Sequence, residues 1–287
     1  MQLFPIETGN LKLDGGAMFG VVPKILWSKA YPADENNLCN WSMRCLLVVD
    51  GDRKILIDNG IGDKQDWNFL RHYYLNGDDT LEGSLKKAGY TKEDLTDVIL
   101  THLHFDHCGG SVEWNHERTG YKLAFPNATY WVSKQQYDWA IEPNHRESAS
   151  FLKENILPIE ESGKLKLIEG EGEILPNITI KLYHGHTEGQ AIPHINYNGK
   201  TIVFVSDLLP STAHVPMPWI MAYDTRPLIT LEDKSRFYKE AVENDYILFL
   251  EHDLYNECCT LQQTEKGIRV KETFTVQSSK FKVELIV

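Results

Sequence analysis

Short apolar or alternating runs recur along most of the chain, and each of them predicts a β-strand. They cover residues 46–49, 55–57, 98–100, 129–132, 178–183, 201–205, 246–250 and 267–276. Between them, apolar positions at helical spacing predict helices over residues 81–88 and 231–242. Thr230, with Asp233 three residues later, comes close to a capping box and predicts the start of the second helix. Helices and strands therefore mix throughout the chain.

Turn residues between these runs indicate how the strands pair. The runs on either side of Asn198-Gly199 are typical of a β-hairpin, which makes the two strands antiparallel. Hairpins combined with helices favour the α+β class, with antiparallel or mixed sheets and the helices outside. No run approaches the roughly eighteen continuous apolar residues of a membrane span, and no internal repeat is visible. We expect a single domain over residues 1–287 and no membrane partner.

The charge balance narrows the choice of partners. The chain has 29 Lys and Arg against 41 Asp and Glu, a formal net charge of -12, which disfavours nucleic acid and anionic membranes. Bound divalent metals would nevertheless make one site locally positive. Five cysteines without a framework spacing, and an amino terminus that lacks an export signal, predict reduced thiols in a cytoplasmic protein. We expect a small molecule as the substrate.

The most informative segment is Thr-His-Leu-His-Phe-Asp-His-Cys-Gly-Gly, residues 101–110, directly after the run at 98–100. His102 and His104 are two residues apart and would share a direction in an extended segment. Asp106 and His107, beyond the strand end, can face a second point close by. One histidine on a polar loop is ordinary, but four residues of ligand type at this spacing favour a site for two metal ions.

The segment resembles the His-x-His-x-Asp-His signature of the metallo-β-lactamase superfamily. That resemblance implies an αββα sandwich, in which two mixed β-sheets pack face to face with helices outside. It also implies three further ligands: His186 in Gly-His-Thr, Asp207 in Val-Ser-Asp and His252 in Glu-His-Asp, each after a predicted strand. Ser206 stands where the family commonly has glycine.

The resemblance further implies how the ligands divide between two ions. His102, His104 and His186 would bind one ion, Asp106, His107 and His252 the other, with Asp207 between them. Asp58 would orient a ligand from behind, or it is an ordinary turn cap.

Nitrogen and oxygen ligands without a thiolate suit zinc, although iron, manganese or cobalt would also bind such a set. A water between two divalent ions loses a proton near neutral pH and becomes a nucleophile. Asp106 could hold that nucleophile and carry a proton to the leaving group. The chain has no Gly-x-Ser-x-Gly element, so we expect hydrolysis by water rather than through a covalent serine intermediate.

Branches of the superfamily differ in their ligands and inserts. Asp207 disfavours a β-lactamase, the short chain after His252 disfavours a glyoxalase II, and the negative charge disfavours an RNA-processing enzyme. The opening at residues 13–23 resembles that of acyl-homoserine lactonases and of organophosphate or aryl-ester hydrolases. Lactone opening is therefore the leading hypothesis, and aryl-ester or organophosphate hydrolysis is the alternative. An iron-dependent redox member and a catalytically silent metal-binding scaffold are weaker candidates.

One departure concerns the proton donor. The lactonases that this chain resembles have a tyrosine three residues after the bridging aspartate, whereas this chain has Pro210. Tyr223 or His214 could replace it. The proline-rich segment 208–231 is the expected pocket wall, because loops on a fixed scaffold carry specificity. Apolar residues near the amino terminus could pack against a second copy of the chain, which suggests a homodimer.

Overall fold

A computed structural model describes residues 1–277 of the chain. The strands within that range are β1 Gln2–Asp14, β2 Leu38–Asp50, β3 Arg53–Ile57, β4 Asp97–Ile99, β5 Val112–Trp114, β6 Tyr121–Leu123, β7 Thr129–Ser133, β8 Leu165–Ile168, β9 Gly172–Leu175, β10 Ile178–Tyr183, β11 Gln190–Tyr197, β12 Lys200–Phe204, β13 Ile247–Phe249, β14 Cys258–Thr264 and β15 Gly267–Phe274. The helices are α1 Gly15–Phe19, α2 Lys24–Trp27, α3 Trp67–Leu70, α4 Leu81–Ala88, α5 Phe105–Cys108, α6 Lys134–Ile141, α7 Lys153–Glu161 and α8 Pro227–Glu243.

The strands form two large mixed sheets. The first has the order β1-β2-β3-β4-β7-β8, with antiparallel pairing from β1 to β3 and parallel pairing from β3 to β8. The second has the order β15-β14-β13-β12-β11-β10-β9 and is antiparallel except between β12 and β13. β11 and β12 form the predicted hairpin, and Asn198 and Gly199 turn the chain with φ of 52° and 77°.

Three layers of apolar side chains hold the sheets and helices together. Between the sheets, Ile55 and Ile99 of the first pack with Ile180 and Phe204 of the second in one buried cluster. A second cluster joins the outer face of the first sheet to α4, α6 and α7, and a third joins the outer face of the second sheet to α8. The predicted αββα sandwich is therefore confirmed.

The predicted strands all fall on observed ones, most within one or two residues of the observed ends. The sequence patterns did not reveal the short helices α1 and α2 or the first half of β2. They also missed six whole strands, namely β1, β5, β6, β8, β9 and β14. The predicted capping box was wrong. Helix α8 begins at Pro227, four residues before the predicted start, and this proline lies in its first turn. The Asp233 carboxylate instead accepts hydrogen bonds from the backbone N–H groups of His184 and Gly185, each at 2.8 Å. It thereby anchors the loop after β10.

Two glycines let the segment after α5 pack directly against the loop after β3. A Cβ added at Gly109 would lie 2.1 Å from the Ile61 carbonyl oxygen, and one at Gly110 would lie 2.3 Å from the Asn59 carbonyl oxygen. Both distances are shorter than any real contact of a Cβ atom. The two glycines of the sequence signature are therefore needed for this close backbone approach.

Three sequence-based expectations concern membrane-spanning helices, the cysteines and the apolar residues near the amino terminus. Within residues 1–277, no helix combines the length and the apolar character that crossing a bilayer requires. All five cysteines are buried and none is in a disulfide, as expected for reduced thiols. Val21 and Ile25, near the amino terminus, are 93% and 72% exposed. The homodimer that such residues suggested stays a prediction.

Replacing Gly109 by alanine should destabilise the fold, because the new methyl group collides with backbone that cannot rotate away. We expect Gly109→Ala to lower the free energy of unfolding by about 1–3 kcal/mol, measured by urea denaturation at constant metal concentration. Gly170→Ala is the matched control, since its Cβ would meet open space. Equal denaturation midpoints for the two variants would contradict the importance of this contact.

Candidate metal centre

Four chain segments deliver ligand-type side chains to one edge of the sandwich. The loop after β4 runs into α5 and carries His102, His104, Asp106 and His107. The other three segments follow β10, β12 and β13, and they carry His186, Asp207 and His252 respectively. The seven side chains form two groups. Within each group, the potential ligand atoms lie within 4.8 Å of one another.

The first group is made of three imidazoles and a carboxylate. His104 Nδ1 lies 3.0 Å from His102 Nε2 and 3.2 Å from His186 Nε2. Asp207 Oδ2 lies 3.0 Å from His186 Nε2 and 3.9 Å from His102 Nε2. Ligands at about 2.0–2.1 Å from a tetrahedral zinc ion are separated by roughly 3.3 Å, so these spacings fit one ion.

The second group lies beside the first. His107 Nε2 and His252 Nε2 are 3.2 Å apart. Asp106 Oδ2 lies 3.7 Å from His107 Nε2 and 3.9 Å from His252 Nε2. Asp207 faces both groups, because its Oδ1 is 3.0 Å from His252 Nε2 while its Oδ2 faces His186. One carboxylate is thus placed to bridge two ions.

The outer nitrogen of each imidazole faces a polar group. His102 Nδ1 lies 3.1 Å from the Thr101 hydroxyl, and His252 Nδ1 donates to the Ser42 carbonyl at 2.8 Å. The remaining three contacts are to carboxylates: His104 Nε2 to Glu147 at 3.4 Å, His186 Nδ1 to Asp224 at 3.1 Å and His107 Nδ1 to Asp58 at 3.1 Å. With their protons on the outer nitrogens, the rings direct lone pairs at one another, which requires a cation between them.

The electrostatics of the cluster also favour a cation. Burial holds the pKa of His102 well below its usual range, which keeps this ring in the neutral form that binds metals. Burial also works against a charged His186 or His252, yet Asp207 raises the pKa of His186 to about 10 and that of His252 to about 9. The field at Asp207 therefore stabilises positive charge, which divalent ions would supply. The residues present fit a dinuclear metal centre.

Asp58 occupies the position behind the ligands that the resemblance implied. Its carboxylate accepts hydrogen bonds from the Thr101 backbone N–H at 2.8 Å and from the Thr101 hydroxyl at 2.7 Å, besides contacting His107. Asp58 itself has a left-handed backbone with φ of 54°. These bonds fix the carboxylate in place, so it can hold the His107 ring in one orientation.

A cavity of about 280 Å³ opens directly over the two groups. Its floor includes His104, Asp106, His186, Asp207 and His252, so ions bound there would face the cavity. Its walls are mainly apolar and aromatic and include Leu13, Met18, Trp41, Phe105 and Met221. A small molecule with an apolar part fits such a cavity.

The two candidate proton donors lie in different places. Tyr223 lines the cavity, and burial raises the pKa of its hydroxyl to about 12. His214 is buried outside the cavity lining, with its ring stacked 4.6 Å from that of Phe19. Its two nitrogens are engaged by the Ser211 hydroxyl and the Met18 carbonyl, both at 2.8 Å, and burial lowers its pKa to about 3. His214 therefore serves packing, and Pro210 is likewise absent from the cavity lining.

Sequence reasoning missed several residues that complete the site. Glu147 and Asp224 each face a histidine from a loop, and Tyr73 lines the cavity opposite the segment that carries Tyr223. Glu251, next to His252, lies 3.0 Å from His107 Nδ1. Only Glu251 carried a signal, since a charged residue there interrupts a buried apolar run. Glu147 and Asp224 stand in irregular segments and Tyr73 ends a short 3-10 helix, and none of the three belongs to a motif.

Comparisons with known proteins agree with this geometry. The family model described as the metallo-beta-lactamase superfamily matches residues 44–252. A curated relative, an N-acyl homoserine lactonase of Bacillus cereus, is 31% identical over 53% of this chain, and the match spans 58% of that enzyme's length. An N-acyl homoserine lactonase of Bacillus thuringiensis is 26% identical over 77% of this chain and 84% of its own.

Solved structures show the same fold. A probable metal-dependent hydrolase from Staphylococcus aureus superposes with a TM-score of 0.87 at 30% identity, over 96% of this chain and 97% of its own. AidC, a dizinc quorum-quenching lactonase with a bound product, superposes with a TM-score of 0.78 at 22% identity, over 95% of each chain. The family model alone covers well over half of the sequence. The chain therefore belongs to the metallo-β-lactamase superfamily.

Proposed function

We propose that this metal-dependent hydrolase opens the ring of a lactone of the N-acyl homoserine type, with two zinc ions at its centre. His102, His104 and His186 would hold one ion, Asp106, His107 and His252 the other, with Asp207 as the bridge. The observation that carries the proposal is the largely apolar cavity whose floor includes members of both ligand groups. The Bacillus lactonases that resemble this chain support the choice of substrate.

When bound, two divalent ions supply a hydroxide nucleophile at neutral pH and polarise the ester carbonyl. The chain supplies the rest of the chemistry. The Asp106 side chain is 15% exposed on the cavity floor, where its carboxylate can orient the attacking water and carry its proton to the leaving alkoxide. Ring opening leaves the alkoxide and the new carboxylate on one product molecule. The alkoxide must receive a proton before that product leaves the site.

Tyr223 is the proposed donor to a substrate oxygen. A tyrosine hydroxyl is protonated at neutral pH, as a hydrogen-bond donor must be, and burial raises its pKa further, to about 12. Tyr73 lines the same cavity, and burial raises its pKa to about 12 as well. Two protonated phenols on the cavity wall can hold the ester carbonyl and a second polar group of the substrate. An acyl chain would lie against Leu13, Met18 and Met221.

Aryl-ester or organophosphate hydrolysis is the second candidate, and the composition of the cavity wall favours keeping it. Trp41, Tyr73, Phe105 and Tyr223 give the cavity an aromatic lining that suits a planar leaving group. A panel of one N-acyl homoserine lactone, one aryl ester and one phosphotriester separates the candidates by kcat/KM. Bound iron with no hydrolysis of any of them would contradict both.

Removing a ligand should abolish turnover while leaving the sandwich folded. We expect elemental analysis of protein purified without added metal to give two divalent ions per chain. Asp207→Ala and His104→Ala should each lose metal and several kcal/mol of transition-state stabilisation, roughly a 10³-fold or larger drop in kcat/KM. Circular dichroism should show unchanged secondary structure.

His184→Ala is the matched control for these ligand variants. His184 is two residues from His186 but lies outside the cavity lining, and its ring pairs with Glu188 at 2.7 Å. This variant should keep both ions and its activity. Retained turnover in Asp207→Ala and His104→Ala, or an equal loss in His184→Ala, would refute the ligand assignment.

Removing the Tyr223 hydroxyl tests its proposed hydrogen bond to the substrate oxygen. We expect Tyr223→Phe to lower kcat on the lactone by about 10- to 100-fold with little change in KM, because the bond to the substrate oxygen strengthens in the transition state. Tyr255→Phe is the control, since Tyr255 is 56% exposed and outside the cavity lining. If Tyr223→Phe is fully active while Tyr73→Phe is impaired, the donor is Tyr73 instead.

A further inference from the structure

Glu251 is a carboxyl side chain buried completely behind the metal centre. It lies two residues after the end of β13 and directly precedes His252, and its exposed fraction is 0%. Glu251 Oε2 lies 3.0 Å from His107 Nδ1, and Asp58 Oδ2 lies 3.1 Å from the same nitrogen. Two carboxylates therefore face the outer nitrogen of one imidazole.

The two carboxylates differ in their other contacts. Asp58 accepts two hydrogen bonds from Thr101, so its position is fixed independently of His107. Neither carboxylate oxygen of Glu251 has an aligned hydrogen-bond partner within residues 1–277. The short contact of Glu251 is the one to the His107 ring.

Burial without hydrogen bonds disfavours the ionised form of a carboxyl group, and a neighbouring positive charge can offset that penalty. The inner nitrogen of His107 faces Asp106, His252 and Asp207, where the second ion would lie. Negative charge at the outer N–H raises the basicity of the inner nitrogen and strengthens its bond to a metal. Glu251 is placed to act on that bond through the ring.

We propose that Glu251 is a second positioning carboxylate for His107, which tightens the ion held by Asp106, His107 and His252. The proposal rests on the ligand set proposed above. The effect of Glu251 should differ between the two ions, because the outer nitrogens of the first group face Thr101, Glu147 and Asp224 rather than Glu251. Loss of the Glu251 charge should therefore weaken the second ion and spare the first.

Glu251→Gln removes the charge at nearly constant shape, and Glu251→Leu also removes the oxygen atoms. We expect Glu251→Gln to weaken the second ion about 10-fold and Glu251→Leu up to about 100-fold, the range typical of residues behind a metal ligand. The measurement is competition between the full-length protein and a chromophoric zinc chelator, which gives a dissociation constant for each ion. Titration with cobalt, followed by its visible absorption, reports separately on the geometry at each ion.

The control is Glu257→Gln, which alters a half-buried carboxylate on the same segment that accepts from the Val276 backbone N–H and touches no ligand. This variant should bind both ions like the wild type. Asp58→Asn and the double variant Asp58→Asn/Glu251→Gln complete a cycle. Since both carboxylates act on one nitrogen, the double variant should lose more affinity than the sum of the two single free-energy changes.

Three results would overturn the proposal. The first is wild-type affinity for both ions in Glu251→Gln and Glu251→Leu. The second is an equal loss of both ions together with a lower melting temperature of the metal-free protein, which would make Glu251 a structural residue. The third is a third ion in the wild type that Glu251→Gln lacks, which would make Asp58, His107 and Glu251 a separate site. Since no substrate enters these measurements, failure of lactone hydrolysis would leave their outcome unaffected.

Discussion

Five buried imidazoles that point their inner nitrogens at one another impose a condition on the whole protein. Such an arrangement is repulsive unless cations lie between the rings, and each ring must be held from behind so that it cannot rotate. Five different partners on separate segments meet the second need: Ser42 on β2, Asp58 after β3, Thr101 after β4, and Glu147 and Asp224 on loops. The metal centre therefore depends on both sheets and on the two loops that carry Glu147 and Asp224.

The two sheets are joined directly at this edge. Arg44, buried on β2, donates from Nη1 to the carbonyl oxygens of Leu250 and Asp253, both at 2.9 Å. Its backbone N–H donates to the Glu251 carbonyl at 3.0 Å, and the Ser42 hydroxyl donates to the same oxygen at 2.6 Å. The segment with His252 is thus bonded to the first sheet although it follows a strand of the second. Sheet packing and ligand placement are consequently one property of this fold.

The predictable part of the site is the part encoded locally. His102 to His107 stand together in sequence, and Asp207 and His252 directly follow apolar strands, so a pattern and a resemblance suffice to find them. Glu147 and Asp224 could not be found in this way, because their roles exist only after loops fold over distant ligands. The start of α8 was misplaced for a similar reason, since Asp233 is bound to the β10 loop rather than to its own helix.

One segment, residues 208–226, both lines the cavity and contacts His186. Lys234 on α8 is 1% exposed, and its ammonium nitrogen lies 2.7–3.2 Å from the carbonyl oxygens of His214, Pro216, Met217 and Trp219, among which its three N–H donors are shared. These contacts fix the loop just before it gives Met221 and Tyr223 to the cavity wall. The next residue, Asp224, accepts from the Met221 backbone N–H at 3.1 Å and faces His186. A change in this loop therefore acts on His186 as well as on the cavity wall, which constrains how far the wall can diverge without disturbing the histidine cluster.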